Sequence, residues 1–331
     1  MKKVKIAQIG INKYSHSNEI LHSILKQSDL FEFVGYVLPE NERERINFKT
    51  GDLSELKELT LDEVLESPEI EAVSIETDEI YLTKYALLAA KAGKHIHMEK
   101  PGSPSLADFE ELIGAVKASG KVFHTGYMYR YNPYVVDLMQ KIKDGALGEI
   151  ISVEAQMNCS HIKKTRQWLE ELPAGMMFYL GCHLVDLILQ IQGTPERIIP
   201  LNKCTGIDGV TSTEFGMAVF EYKNGVSFAK TSAVEFGGFA RRQLVVSGSK
   251  GTVELKPFEL PVADGLLYTG RNECFSSAWS AIGESSKSEP YDRYDTMIAS
   301  FADYIRGNKT NPYTPDYELE LFKTVLKACG K

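Results

Sequence analysis

The sequence has no long apolar run, no excess of positive charge and no cysteine framework, and each absence removes a class of function. No apolar stretch reaches the roughly 20 residues of a membrane-spanning helix. The 331 residues carry a net charge of −8, so a broad basic surface for nucleic acid is not expected. Five cysteines (Cys159, Cys182, Cys204, Cys274 and Cys329) are odd in number and scattered, with neither metal-ligand spacing nor a disulfide pattern. A reducing cytoplasm is the expected home, and no metal site is expected. The start, Met1-Lys2-Lys3-Val4-Lys5, has the charge of a signal-peptide n-region. The apolar run after it stops at Gly10, with polar Asn12 and Lys13 next, which leaves no h-region. What is present is ordinary globular usage, 43% hydrophobic and 25% charged. The length predicts two domains, and a small molecule is the expected partner.

The first ~125 residues alternate short apolar runs with helical patterns, as βαβ units do. Strands are predicted at Val4 to Ile9, Phe33 to Leu38, Ala72 to Ile75, His95 to Met98 and Val122 to Tyr127. Helices fall between them: Ile20, Leu21, Ile24 and Leu25 repeat at helical spacing, Thr60 and Glu63 form a capping box, and Gly93 stops an alanine-rich helix near Ile80 to Ala92. Ser105 and Asp108 cap a helix with Leu106, Phe109, Leu112 and Val116 on one face. This rhythm predicts a doubly wound parallel sheet over residues 1–125, with ligands outside the carboxyl ends of its strands.

Residues 126–331 read differently. Alternating runs at Ile150 to Met157, Thr213 to Tyr222, Val226 to Val234, Gln243 to Gly248 and Thr252 to Leu255 predict a large, mostly antiparallel sheet, an α+β domain beside the α/β one. Lys223-Asn224-Gly225 is a hairpin signal, with Asn-Gly supplying positive φ. Helices are expected at Met176 to Gln192, at Tyr294 to Ile305 and after Pro315. The polar stretch 262–290 reads as a long loop or lid. Thr213, Phe215, Met217 and Val219 alternate with Glu214, Gly216, Ala218 and Phe220. Both faces of that strand therefore carry apolar side chains, and self-association through the sheet is expected.

Three places carry candidate chemistry. Gly10-Ile11-Asn12-Lys13-Tyr14-Ser15 sits where the first strand turns into the first helix, the place for a phosphate turn, although only the first glycine is present. Leu38-Pro39 occupies the place of the acid that holds ribose hydroxyls, with Glu40 as a substitute. Glu99-Lys100-Pro101 puts a lysine at the rim of the ligand crevice, where partial burial suits proton transfer to or from an alcohol. Pro101 fixes the local backbone and is placed for a cis bond. Tyr179-Leu180-Gly181-Cys182-His183-Leu184-Val185-Asp186 opens an apolar helix. His183 shares a face with Tyr179 and Asp186, and Gly181 suggests a close approach.

With Ala89-Ala90-Lys91-Ala92-Gly93-Lys94-His95, with Glu99-Lys100-Pro101, with Gly126-Tyr127-Met128-Tyr129-Arg130-Tyr131-Asn132-Pro133 and with Gly181-Cys182-His183-Leu184-Val185-Asp186, nearly the whole chain resembles the Gfo/Idh/MocA family. The resemblance implies NAD or NADP and hydride transfer at a hydroxyl-bearing carbon of a sugar, polyol or inositol. It assigns catalysis to Lys100 and His183, with Tyr179 where many members carry an aspartate. It assigns the cofactor to Gly10, Ile11, Asn12, Lys13, Leu38, Thr77, Glu99 and Lys100. The substrate falls to Tyr127, Trp168, His183 and Asp186, with His161, Lys163, Lys164 and Arg166 as further candidates. It also implies a homodimer or homotetramer through the second-domain sheet. Asn12, Ser15, Leu38 and Thr77-Asp78-Glu79 depart from the family pattern, so the catalytic side is better preserved than the cofactor side. Two alternatives remain: a NAD-dependent glycosidase of the same family, and a non-catalytic nucleotide- or sugar-binding regulator.

Overall fold

A computed structural model describes residues 2–12, 15–45 and 55–331 of the chain. The chain forms two compact units, Met1–Tyr127 with Tyr294–Phe322, and Met128–Arg293 with Lys323–Lys331. The first therefore recruits a late segment that a contiguous division at residue 125 does not include.

In the first unit β1 (Val4–Ile9), α1 (Ser17–Lys26), β2 (Phe31–Val37), α2 (Glu42–Arg45), α3 (Leu61–Glu66), β3 (Ala72–Ile75), α4 (Leu82–Lys91), β4 (His95–Met98), α5 (Leu106–Ser119) and β5 (Phe123–Thr125) follow in order. The five strands pair in parallel in the order β2-β1-β3-β4-β5, with Ile6 opposite Ala72 and Ile96 opposite Phe123. All four β3 side chains are buried, as in a sheet covered on both faces. The Thr60–Glu63 capping box starts α3 as expected. Strand order reverses beside β1, so the crevice lies at the carboxyl ends of β1 and β3.

The second unit holds α6 (Pro133–Lys143), β6 (Ile150–Asn158), α7 (Lys163–Trp168), α8 (Cys182–Gln192) and strands β7 (Arg197–Pro200), β8 (Phe215–Tyr222), β9 (Gly225–Ser232), β10 (Gln243–Gly248) and β11 (Thr252–Leu255). Segment 262–290, expected as a loop, holds further strands. The short β12 (Leu260–Pro261) pairs with β13 (Leu267–Tyr268), and β14 (Gly270–Cys274) and β15 (Glu284–Lys287) extend the main sheet. That eight-stranded sheet runs β15-β14-β11-β10-β6-β9-β8-β7, antiparallel except for the parallel β6–β9 pair. The β8–β9 hairpin forms, but Gly225 does not supply its positive φ. A glycine is required there because a Cβ would strike the Ile151 carbonyl.

The expected helix from Met176 to Gln192 is two pieces, a π-helical turn over Met177–Gly181 and then α8. The close approach at Gly181 is made by Met177, whose Sδ would lie 2.5 Å from an added Cβ. The chain finishes with α9 (Asp295–Arg306), which belongs to the first unit, and α10 (Pro315–Ala328). Among the described residues no helix is long and apolar enough to cross a membrane, and no three His, Cys, Asp or Glu side chains are grouped to hold a metal.

Candidate functional site

On the first unit the site is built from the ends of β1, β3 and β4. Gly10 leaves β1 with φ +91°, and an added Cβ would sit 2.6 Å from the Thr77 backbone nitrogen. Only glycine satisfies both constraints. Asn12 interlocks the turn with the end of β3: its N–H donates to the Glu76 carbonyl at 3.2 Å and its Nδ2 to the Thr77 carbonyl at 3.4 Å. Gly10, Ile11, Asn12 and Thr77 thus come together as expected; Lys13 lies outside the described residues. Leu38 follows β2, half-buried and with no polar side-chain atom. Glu40 is not at the turn. Its carboxylate accepts from the Tyr85 hydroxyl at 2.8 Å and pairs with Lys84. The acid at the turn is Glu42, whose Oε2 accepts the Ile11 N–H at 2.8 Å. The sequence offered two glutamates two residues apart, and only the chain reversal, with positive φ at Glu40 and Asn41, decides between them.

Lys100 lies two residues beyond the end of β4 and is far more buried than a rim residue, at 1% exposure. Its Nζ is 3.4 Å from Glu99 Oε1, and His16 Nδ1 is 3.7 Å from the same oxygen. The Lys100–Pro101 bond is cis. Two buried carboxyls join this group that sequence reasoning did not single out as acids, Glu76 and Glu79. Burial, with the nearby Glu99 charge, pushes Glu76 well above the carboxylate range. Burial pushes Glu79 to about 8 against the pull of the Lys100 ammonium. Burial also opposes ionisation of Glu99, yet Lys100 and His16 bring it below its ordinary value. Neither carboxyl oxygen of Glu79 takes a hydrogen bond from another residue; its own backbone N–H is the donor that lowers its pKa. Tyr127 closes this unit, 2% exposed, its N–H bonded to the Thr125 carbonyl at 2.8 Å.

The second unit carries the other predicted residues. His183 lies on α8, 1% exposed, edge-on to Tyr129 with ring centroids 5.0 Å apart. Tyr179 belongs to the π turn, so the two do not sit one turn apart on a regular α-helix. The Tyr179 ring meets Trp168 edge-on at 5.2 Å and tilts against His161 at 6.2 Å. Asp186, expected beside the substrate, is instead gripped by Arg130 through Nε at 2.9 Å and Nη2 at 2.8 Å, and accepts from Gln190 at 2.8 Å. Arg166 is likewise engaged, by Glu214 at 2.6 Å and by Asp208, whereas Lys163 and Lys164 are exposed.

Residues 4–127 match the family model described as oxidoreductase family, NAD-binding Rossmann fold, and residues 135–254 match the GFO/IDH/MocA C-terminal domain. The chain belongs to the Gfo/Idh/MocA oxidoreductase family. Its relatives include the uncharacterized oxidoreductase YhhX of Escherichia coli K12, 32% identical over 42% of this chain and 40% of that one. Trans-1,2-dihydrobenzene-1,2-diol dehydrogenase of Bos taurus is 25% identical over 71% of this chain and 78% of that one. The scyllo-inositol 2-dehydrogenase (NADP(+)) IolW of Bacillus subtilis is 24% identical over 60% and 55%. The match thus spans about half the length of YhhX and IolW and more of the bovine enzyme. Among solved structures, the WlbA dehydrogenase of Bordetella pertussis with NADH and UDP-GlcNAcA shares the fold, with TM-score 0.76, 16% identity and coverage of 100% and 97%. The chain therefore carries the family's NAD-binding Rossmann domain followed by its C-terminal domain. Gly10 packs its backbone directly against Thr77, which fixes the turn at the β1–β3 switch point, the place where this fold takes a dinucleotide.

Proposed function

We propose that this protein transfers a hydride between NAD(P) and a hydroxyl-bearing carbon of a ring polyol, such as an inositol, a sugar or a cyclic vicinal diol. The observation that carries the reading is Lys100, an ammonium 1% exposed at the carboxyl end of a buried parallel strand among three buried carboxyls. The names of the bovine and Bacillus relatives support the substrate class, since both denote rings with adjacent hydroxyls. The nicotinamide, when bound, supplies the hydride acceptor. The protein's part is to orient the ring and manage one proton. In the oxidising direction Lys100, as the neutral amine, is assigned to accept the hydroxyl proton and become an ammonium beside the Glu99 carboxylate, and His183 is assigned the second polar contact to substrate. Trp168 and Tyr179 supply aromatic faces on which a ring can pack. The second-unit sheet is assigned to pairing of two copies, with sedimentation at micromolar concentration as its check.

The test is a panel of inositols, aldoses and cyclohexanediols with NAD⁺ and NADP⁺, followed by absorbance of the reduced nicotinamide. Lys100→Met is then expected to keep dinucleotide binding by calorimetry and to lower turnover on the best substrate by about 10²–10⁴-fold. Normal turnover in that variant, or no reduced nicotinamide with any ring polyol, overturns the reading.

A further inference from the structure

A parallel sheet covered on both faces is ordinarily built from apolar side chains. One face of the first-unit sheet obeys this, with Val73 beside Ile96 and Ile75 beside Met98. The other face does not. Ser74 lies beside Gln8 of β1 and His97 of β4, and His97 lies beside His124 of β5. Glu76 and Glu99 follow two residues after Ser74 and His97, so they belong to the same face. All six side chains are at most 1% exposed. Apolar residues of similar shape would hold such a face at least as well, because buried polar groups carry a desolvation cost.

The polar groups form a line that begins at Lys100, whose Nζ is 3.4 Å from Glu99 Oε1. Glu99 stands beside Glu76, one row beyond the Ile75–Met98 pair. Glu76 Oε1 accepts from Ser74 Oγ at 3.3 Å and lies 3.7 Å from His97 Nε2. His97 Nδ1 and His124 Nδ1 are 2.8 Å apart. Burial holds His97 at about 4, uncharged at neutral pH, and keeps the proton on Glu76. A bond between two neutral rings needs a proton on one nitrogen and a lone pair on the other, so the rings are opposite tautomers. With an acid facing its Nε2, His97 carries its proton on Nδ1 and donates it to His124, which carries its own on Nε2. His124 stacks on Phe301 at 5.4 Å and meets the half-buried Tyr304 edge-on at 5.8 Å, both on α9.

We propose that Glu76, His97 and His124 form a proton outlet, carrying along the sheet face the proton that Lys100 takes from the substrate hydroxyl. The proposal rests on the role given to Lys100 above. The Lys100 ammonium returns its proton to the Glu99 carboxylate, and Glu99 passes it to Glu76 Oε2. Glu76 Oε1 gives its own proton to His97 Nε2, His97 Nδ1 gives one to His124 Nδ1, and His124 Nε2 releases one toward water on the α9 side. One proton enters and one leaves, no electrons move, and Lys100 and Glu99 end as amine and carboxylate. The chain is reset when the carboxyl and the two rings turn back.

The first test needs no substrate. NMR of the isotope-labelled histidine ring nitrogens in the full chain at neutral pH is expected to show His97 protonated on Nδ1 and His124 on Nε2. Both rings protonated on the same nitrogen, or either as an imidazolium, overturns the proposal. The second test is Glu76→Gln, which keeps the shape and an N–H for His97 but cannot pass a proton on. It is expected to keep NADH affinity by calorimetry and both tautomers. Its turnover on the best substrate of the polyol panel is expected to fall by about tenfold or more, with a larger solvent deuterium isotope effect. A merely structural seam predicts the opposite, a change in stability with kcat intact, and normal turnover in this variant overturns the outlet. Should Glu76→Gln not fold, the double variant His97→Leu with His124→Phe gives the seam the apolar filling of the other face and is read in the same way. The ring measurement involves no turnover, so failure of the ring-polyol reading leaves it standing.

Discussion

The two units treat buried charge in opposite ways. In the second, buried carboxylates have close cationic partners. Asp186 has Arg130 at 2.8 Å, Glu214 has Arg166 at 2.6 Å, and Glu259 has Arg242 at 2.6 Å and Arg293 at 2.7 Å. Tyr129 donates its hydroxyl to Glu259 as well. In the first, Glu76, Glu79 and Glu99 all feel the charge of Lys100, and Glu99 Oε1 lies 3.4 Å from its Nζ. The Glu79 carboxyl takes no hydrogen bond from another residue, and His97 Nε2 stands 3.7 Å from Glu76. Buried carboxyls raised above their ordinary pKa are exceptions in folded proteins, and two of them beside one buried lysine mark where chemistry is expected. The second unit uses buried charge to hold its scaffold. The first leaves it poised.

The contrast breaks most visibly at Arg130. Arg130→Met strands the Asp186 carboxylate, which is 1% exposed, and the expected loss is about 3–5 kcal/mol of unfolding free energy. Replacing both residues with apolar ones of similar volume is expected to recover most of that loss. Denaturant titration of the three variants measures it. A single-variant loss under about 1 kcal/mol would mean that the second unit is no better locked than the first.

Neutralising a poised group is expected to act in the other direction. Burial holds Glu79 at about 8, against 4.5 for an ordinary glutamate. Between those values the folded chain keeps a proton that the unfolded chain releases. Stability therefore falls as pH rises through this window and levels off above it. His95 and His97 oppose this only at lower pH. Burial holds both at about 4 against 6.5, so their loss of stability comes as pH drops below 6.5. From 6.5 to 8 the Glu79 effect stands out, reinforced by Glu76 in the same direction. Glu79→Gln is expected to stabilise the protein by roughly 2–4 kcal/mol at pH 8 and by under about 1 kcal/mol at pH 5. Melting temperatures across that range decide it, and a shift that does not depend on pH removes the titration argument.

What the sequence made legible follows the range over which each feature is encoded. The parallel sheet shows in local apolar runs such as Ala72–Ile75, and the start of α3 in the Thr60–Glu63 pair four residues long. Lys100 was readable because it lies two residues after the apolar run of β4. Strand β15 was not: Glu284–Lys287 is exposed throughout and has no apolar period to reveal it. The π turn was hidden because Met177–Gly181 keeps helical composition while changing pitch. Asp186 read as a site residue because His183 lies three positions before it, yet its partner Arg130 is 56 positions away. Glu79 read only as a departure from a family pattern; its burial against Lys100 comes from packing of β3 beside β4.

The smallest expected effect concerns Tyr179, where the two readings of the second unit meet. On a regular helix its hydroxyl and the His183 imidazole would face one substrate oxygen, and the phenol would relay a proton. In the structure the Tyr179 ring packs edge-on to Trp168 at an interplanar angle of 85° with His161 at its side. Burial lowers the His161 pKa below its ordinary value, so the three rings form an uncharged group at neutral pH. An uncharged aromatic group recognises a ring substrate by area, and its polar atoms contribute little. Tyr179→Phe keeps the ring and is expected to lower kcat/KM by less than about tenfold, with a stability change within about 1 kcal/mol. Trp168→Leu removes the larger face and is expected to raise KM more than it lowers kcat, since packing of this kind is shared by ground and transition states. A fall of 10²–10⁴-fold in kcat for Tyr179→Phe, the range of a lost acid–base group, would restore the relay. The second unit would then hold a working proton carrier, and the division between a locked scaffold and a poised cofactor unit would no longer stand.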